Sequence, residues 1–171
     1  MTSSPRVVLI GPPASGKSKI GRAIARQLGE EFVDTDTIIA QLYGPIPEIF
    51  ANHGEAWFRE REAEVVRDCV TRPGVLSLGG GAVITKSIRQ ELKNLPVVLF
   101  LISEEAVSHR VAKSDKRPLL SDGLESWKTL VDARMPWYQE CAKYEVDVSH
   151  RPVDDVAAQV VSWLEEGDSH V

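Results

Sequence analysis

The chain has 171 residues, 43% of them hydrophobic and 26% charged, which suits one globular domain and not a disordered tract. Its net charge of −5 argues against nucleic acid or an anionic membrane as a partner, so an anionic ligand has to be met by locally gathered positive charge. The two cysteines, Cys69 and Cys141, stand outside any CxxC or Cys/His metal spacing and read as small core or half-buried thiols.

The opening MTSSPR has no long apolar run after its arginine, so neither a signal peptide nor an anchor is expected, and the expected compartment is the reducing cytoplasm. VVLI at 7–10 predicts a buried strand, and 17–28 predicts the helix after it, ending near Gly29. FVD at 32–34 predicts a short second strand and VLSL at 75–78 a third. VVLFLI at 97–102 predicts a fourth strand and is too short to cross a bilayer. A weaker fifth at 146–148 precedes a closing helix over 153–165. This alternation predicts an α/β fold, a three-layer α/β/α domain with a five-stranded parallel sheet.

Roughly 40 residues separate the second and third strands, more than a simple crossover needs. Residues 36–70 therefore read as an inserted subdomain within a single domain spanning 1–171. KSDKRPLLSDG at 113–123 is polar, basic at its start and carries Pro and Gly, and reads as a lid.

The strand at 7–10 runs into GPPASGKS, which fits G-x-x-x-x-G-K-[ST] from Gly11 to Ser18. Such a loop and the helix N-terminus behind it form a nest of amides for phosphate. Pro12 and Pro13 carry no N–H, so the donors are expected from Ala14, Ser15, Gly16, Lys17 and Ser18. Lys17 is placed to reach the outer phosphates. The Ser18 hydroxyl is placed to ligate Mg²⁺.

Asp34 and Asp36, in FVDTDT, lie at the carboxyl end of the second strand, where open parallel sheets bind ligands. One carboxylate suits Mg²⁺ held through water and the other suits a proton acceptor, while the same residues also fit a helix N-cap. Residues 54–70 read as a helix in which Arg59 and Glu62 can pair. Taken alone, that helix favours an exposed pair. In the helix near 124–143, however, Arg134 falls inside the apolar stripe Trp127, Val131, Tyr138 and Cys141, and needs an internal acid or a ligand anion. Pro136 is expected to bend or interrupt this helix. Gly79, Gly80 and Gly81 suggest backbone approaching a ligand or a flexible turn, and Arg117 is either a phosphate-directed lid cation or a solvated charge.

Together these motifs resemble the shikimate kinase family. In order, the chain carries GPPASGKS, DTD, HGEAWFREREAEVV, LSLGGGAV, KRPLL and RMPWY, which spans most of its length. The resemblance implies a P-loop kinase that transfers the ATP γ-phosphoryl group to the 3-hydroxyl of shikimate, with Mg²⁺. It implies that Asp36 binds the acceptor hydroxyls and is the candidate base, and that Asp34 lies near Mg²⁺. Arg59 and Arg134 match the carboxylate-binding arginines, and Glu62 the residue orienting Arg59. Gly80 matches the glycine whose backbone meets the acceptor, and Arg117 the lid arginine. Arg110, Arg151 and Pro152 fall where the family contacts adenine, and Lys19 belongs to the phosphate loop, where the family often has Thr. The protein is expected to act as a monomer. The chain departs from the pattern with Ala40 in place of a usual Glu, and it is one residue shorter at 44–50 and around Arg151-Pro152. A gluconate kinase, a nucleoside monophosphate kinase and a non-catalytic nucleotide-binding module are the competing readings.

Overall fold

Along β1 (Val7–Ile10) all four residues are apolar and buried, because both faces of the strand are covered. Val7 and Leu9 enter one core layer and Val8 and Ile10 the other. The computed structural model describes residues 3–112 and 123–168. β2 (Phe32–Asp34), β3 (Val75–Ser77), β4 (Val97–Leu101) and β5 (Tyr144–Asp147) complete an all-parallel sheet in the order β2-β3-β1-β4-β5. The fifth strand starts earlier than its apolar residues predict. It is an edge strand, so only Val146 needs burial while Tyr144, Glu145 and Asp147 keep contact with solvent.

One face of the sheet is covered by α1 (Lys17–Leu28), α5 (Glu104–Ala112) and α7 (Val153–Asp168), which supply Ile20, Ile24, Val107, Val156 and Val160 to the core. The other face carries α2 (Thr35–Tyr43), α3 (Ile46–Cys69) and α4 (Lys86–Leu92), with Ile39, Phe58, Val66, Ile88 and Leu92 inward. α6 (Gly123–Cys141) serves both layers: Trp127 and Val131 join the first, Tyr138 and Cys141 the second. It runs through Pro136 without interruption. Both thiols are buried, as their isolation suggested. No helix among the described residues is long and apolar enough to cross a membrane.

The stretch between β2 and β3 holds α2 and α3. Its shortened part folds cleanly: Gly44 ends α2 at φ 94°, Pro45 caps α3, and Pro47 sits in the first turn, where a missing N–H is harmless. Gly54, at φ 82°, breaks the regularity of α3. Phe50 then packs against Phe58 with ring centroids 4.7 Å apart, beside Arg59.

Candidate active site

The sheet order places β1 between β3 and β4, so the chain leaves β1 at a topological switch point. Register aligns the strand ends: Leu9 pairs with Ser77, and Ser77 with Asp34. The turns after β1 and β3 and the start of α2 therefore meet around one crevice.

The phosphate loop is already shaped. Gly11 adopts φ 150°, and a Cβ there would come within 2.6 Å of the Phe100 carbonyl oxygen. Ala14 (φ 69°) and Gly16 (φ 85°) turn the following amides. Gly16 starts α1 without a side-chain cap, leaving that helix N-terminus open to an anion. Lys17 Nζ donates to the carbonyls of Gly11 at 2.8 Å and Pro12 at 3.0 Å, closing the loop on itself. Arg110 Nη1 donates to the Ala14 carbonyl at 2.8 Å, and Trp127 Nε1 to that of Pro13 at 2.8 Å. Ser15 is fully buried beneath the loop.

Ser18 Oγ donates to Asp34 Oδ2 at 2.8 Å. The other oxygen of Asp34 accepts the N–H groups of Asp36 at 2.9 Å and Thr37 at 3.4 Å. Asp34 thus caps α2, as one of the two readings expected, and also turns an oxygen toward the phosphate loop. A hydroxyl and a carboxylate oxygen side by side are hard donors that fit Mg²⁺. Among the described residues no cluster of three or more His, Cys, Asp or Glu could hold a metal by itself.

Asp36, in the first turn of α2, faces the turn after β3. A Cβ at Gly79 would lie 2.6 Å from its Oδ1, and a Cβ at Gly81 would collide with the Arg59 guanidinium. The glycines are there for space. Arg59 Nη1 donates to Glu62 Oε1 at 2.9 Å, and Glu62 is only 1% exposed. In place of the exposed pair favoured by the helix in isolation stands a partly buried one, because α3 lays this face against the glycine turn. The Arg59 guanidinium also lies 5.1 Å above the Phe58 ring, which fixes the direction of its fork. Arg134 is half-buried one helical turn before Tyr138, whose hydroxyl donates to the Gly80 carbonyl at 2.5 Å.

These charges act on one another. Desolvation lowers the Lys17 pKa to about 8, against the pull of Asp36 and Asp34 and aided by Arg134. Burial, then the neighbouring Asp34, pushes the Asp36 carboxyl up, while Lys17 and Arg59 hold it back. Burial raises Glu62 as well, opposed chiefly by Arg59.

A cleft of about 760 Å³ runs over the phosphate loop, past Ser18, Lys19, Asp34 and Asp36 to Gly79 and Gly80, and out to Arg110 and Arg151. Arg151 is held by Gln159 Oε1 at 2.7 Å, and Pro152 lies in the turn before α7, next to Val153 on the cleft wall. The cleft thus gathers Lys17, Asp34, Asp36, Gly79 and Gly80 with Arg110 and Arg151, while Arg59 and Glu62 sit against Gly81 and Arg134 lines a separate cavity. Arg117 and residues 113–122 of the expected lid lie outside the described residues. Sequence reasoning missed Arg22, Thr35 and the polar ends of Trp127 and Tyr138. Arg22 lines the cleft one helical turn after Ser18, so helical spacing from the loop would have found it.

The shikimate kinase family model matches residues 13–165. The shikimate kinase of Corynebacterium diphtheriae is 42% identical over 164 residues, covering 94% of this chain and 95% of that protein. That of Mycobacterium avium (strain 104) is 44% identical over 170 residues, covering 97% of each. Among solved structures, shikimate kinase from Acinetobacter baumannii in complex with shikimate superposes with a TM-score of 0.86 at 32% identity, covering 97% of this chain and 95% of that one. A gluconokinase from Sinorhizobium meliloti 1021 shares the fold alone, at 19% identity and a TM-score of 0.59.

Proposed function

The chain belongs to the shikimate kinase family, and on that premise we propose that it transfers the γ-phosphoryl group of ATP to the 3-hydroxyl of shikimate, giving shikimate 3-phosphate and ADP. The observation that carries this reading is the meeting, in one cleft, of an open phosphate loop with Asp36 and the glycine turn, against which Glu62 holds the Arg59 guanidinium.

In this reading the amides from Ala14 to Ser18 hold the phosphates, and Lys17 leaves its loop carbonyls for the transferring group. Ser18 and Asp34 would hold Mg²⁺, which supplies charge neutralisation at the phosphates. Arg59, oriented by Glu62, and Arg134 bind the acceptor carboxylate. The backbone of Gly79, Gly80 and Gly81 approaches the ring. Asp36 binds the acceptor hydroxyls and takes the proton from the attacking one. The α2–α3 insert is the acceptor-binding part of the domain, Arg110, Arg151 and Pro152 meet the nucleotide base, and Arg117 closes over the phosphates from the lid.

The deciding assay is ADP release with ATP and Mg²⁺ in the presence of shikimate, gluconate, AMP or no acceptor. A rate confined to shikimate is expected. A folded, ATP-binding protein with no shikimate-dependent rate would remove the assignment.

Arg134→Lys keeps the charge and loses the planar fork. The expected result is a shikimate KM raised about tenfold or more, on the scale of one charge-assisted bond, with the KM for ATP nearly unchanged. An unmoved shikimate KM would place Arg134 in a purely internal ion pair.

The depressed Lys17 pKa gives a pH signature. Below about 8 the ammonium is charged in the free enzyme, and above it the charge is lost. kcat/KM for ATP, which reports the free enzyme, should be flat below that pH and fall above it. Bound phosphates favour the charged form, so the corresponding limb in kcat should lie at higher pH. Coincident limbs in the two profiles would show that Lys17 does not meet the nucleotide.

A further inference from the structure

The turn that reads the acceptor is held from behind by two buried hydroxyls. Tyr138 is 0% exposed, and its Oη donates to the Gly80 carbonyl at 2.5 Å. Thr35 is equally buried, and its Oγ1 accepts the Gly79 N–H at 3.3 Å. Arg134 stands one helical turn before Tyr138 on α6, near enough for its charge to act on the same phenol. The phenol thus ties α6, the helix that carries Arg134, to the glycine turn.

A phenylalanine would fill the same apolar volume. What the hydroxyl adds is direction. The peptide unit is planar and trans, so fixing the Gly80 carbonyl also fixes the Gly81 N–H, which points the opposite way. The front of the turn is equally constrained, since a Cβ at Gly80 would already press on Pro13 of the phosphate loop at 3.1 Å. Three glycines in a row have little rigidity of their own. Their conformation has to be imposed by partners, and these hydroxyls are partners at successive residues.

We propose that Tyr138, backed by Thr35, is a positioning residue for the acceptor: it fixes the Gly80–Gly81 peptide against α6, the helix that also carries Arg134. The inference rests on the acceptor reading given above. It adds a second link between α6 and the acceptor, beyond the arginine that helix carries.

The test compares wild type, Tyr138→Phe and Thr35→Val in two measurements, steady-state kinetics and backbone hydrogen exchange. The Ala82 and Ile84 N–H groups report on the turn, because they bond to the Gly79 and Gly81 carbonyls, each at 3.1 Å. Y138F should raise the KM for shikimate about tenfold, leave the KM for ATP within about twofold, and speed exchange at Ala82 and Ile84. T35V should shift the same quantities in the same direction, and it decides the matter alone should Y138F not fold. An unchanged shikimate KM in a variant of a shikimate-active wild type overturns the role, as does an equal loss of affinity for both substrates. A wild type inactive on shikimate overturns the acceptor reading instead, and unchanged exchange rates would then still refute the hold on the turn.

Discussion

Lys17→Ala should lower kcat by about 10³-fold, the scale of removing a charge aimed at a developing phosphoryl transition state. The argument starts from where the ammonium sits. It is tied to the Gly11 and Pro12 carbonyls of its own loop, two neutral acceptors that do not balance its charge. The nearest carboxylates, Asp34 and Asp36, fall short of offsetting its desolvation, which is why its pKa drops to about 8. The loop's own groups therefore leave the cation under-compensated, and an incoming polyphosphate would supply negative charge. A second expectation follows from the sign of the shift. A lysine whose folded pKa lies below its unfolded value binds fewer protons when folded, so its charge costs stability at neutral pH. Apo K17A should accordingly melt no lower than wild type. Near-wild-type turnover would remove Lys17 from the reaction, and a large fall in the apo melting temperature would show that its bonds to Gly11 and Pro12 hold the loop together.

The phosphate end of the site was legible in the sequence because its chemistry is local. Eight consecutive residues, Gly11 to Ser18, contain the turn, the cation and the hydroxyl that meets Asp34, and the strand and helix flanking them are strongly patterned. The same holds for Asp34 and Asp36, where a strand end and a cap share two residues. The acceptor end was legible only in pieces. Arg59 and Glu62 show as an i,i+3 pair, but burial is a property of what α3 lies against, and that is set by the register of β3 beside β1. Arg134 was visible as a cation on an apolar stripe. Tyr138 sat on the same stripe and read as core, because an aromatic in such a place discloses its ring and not the direction of its hydroxyl. Gly80, which accepts that hydroxyl, lies 58 residues away in sequence. The edge strand β5 was misjudged for a related reason: a strand with one covered face needs few apolar residues, and period-based reading weights them heavily.

Asp36→Asn should depress kcat by about 10²-fold to 10⁴-fold, the range for a positioned general base, with the KM for ATP little changed. Asparagine keeps the shape and one hydrogen-bonding oxygen, so the acceptor hydroxyl can still be found, but its proton has nowhere to go. The environment of Asp36 favours that role. Burial and the Asp34 charge lift its pKa, which makes the carboxylate a better proton acceptor, while Lys17 and Arg59 restrain the rise and keep the group ionisable. The raised value also predicts an acid limb: kcat/KM for shikimate should fall as pH drops through a range above that of ordinary aspartates, and D36N should lose this limb. Linkage again separates function from folding. A carboxyl whose folded pKa exceeds its unfolded value destabilises the fold when ionised, so a neutral asparagine should not lower the melting temperature of the apo protein. A full kcat with a raised shikimate KM would mean that Asp36 only positions the hydroxyls. The proton would then leave late, after the phosphoryl group has largely transferred, as a loose transition state permits.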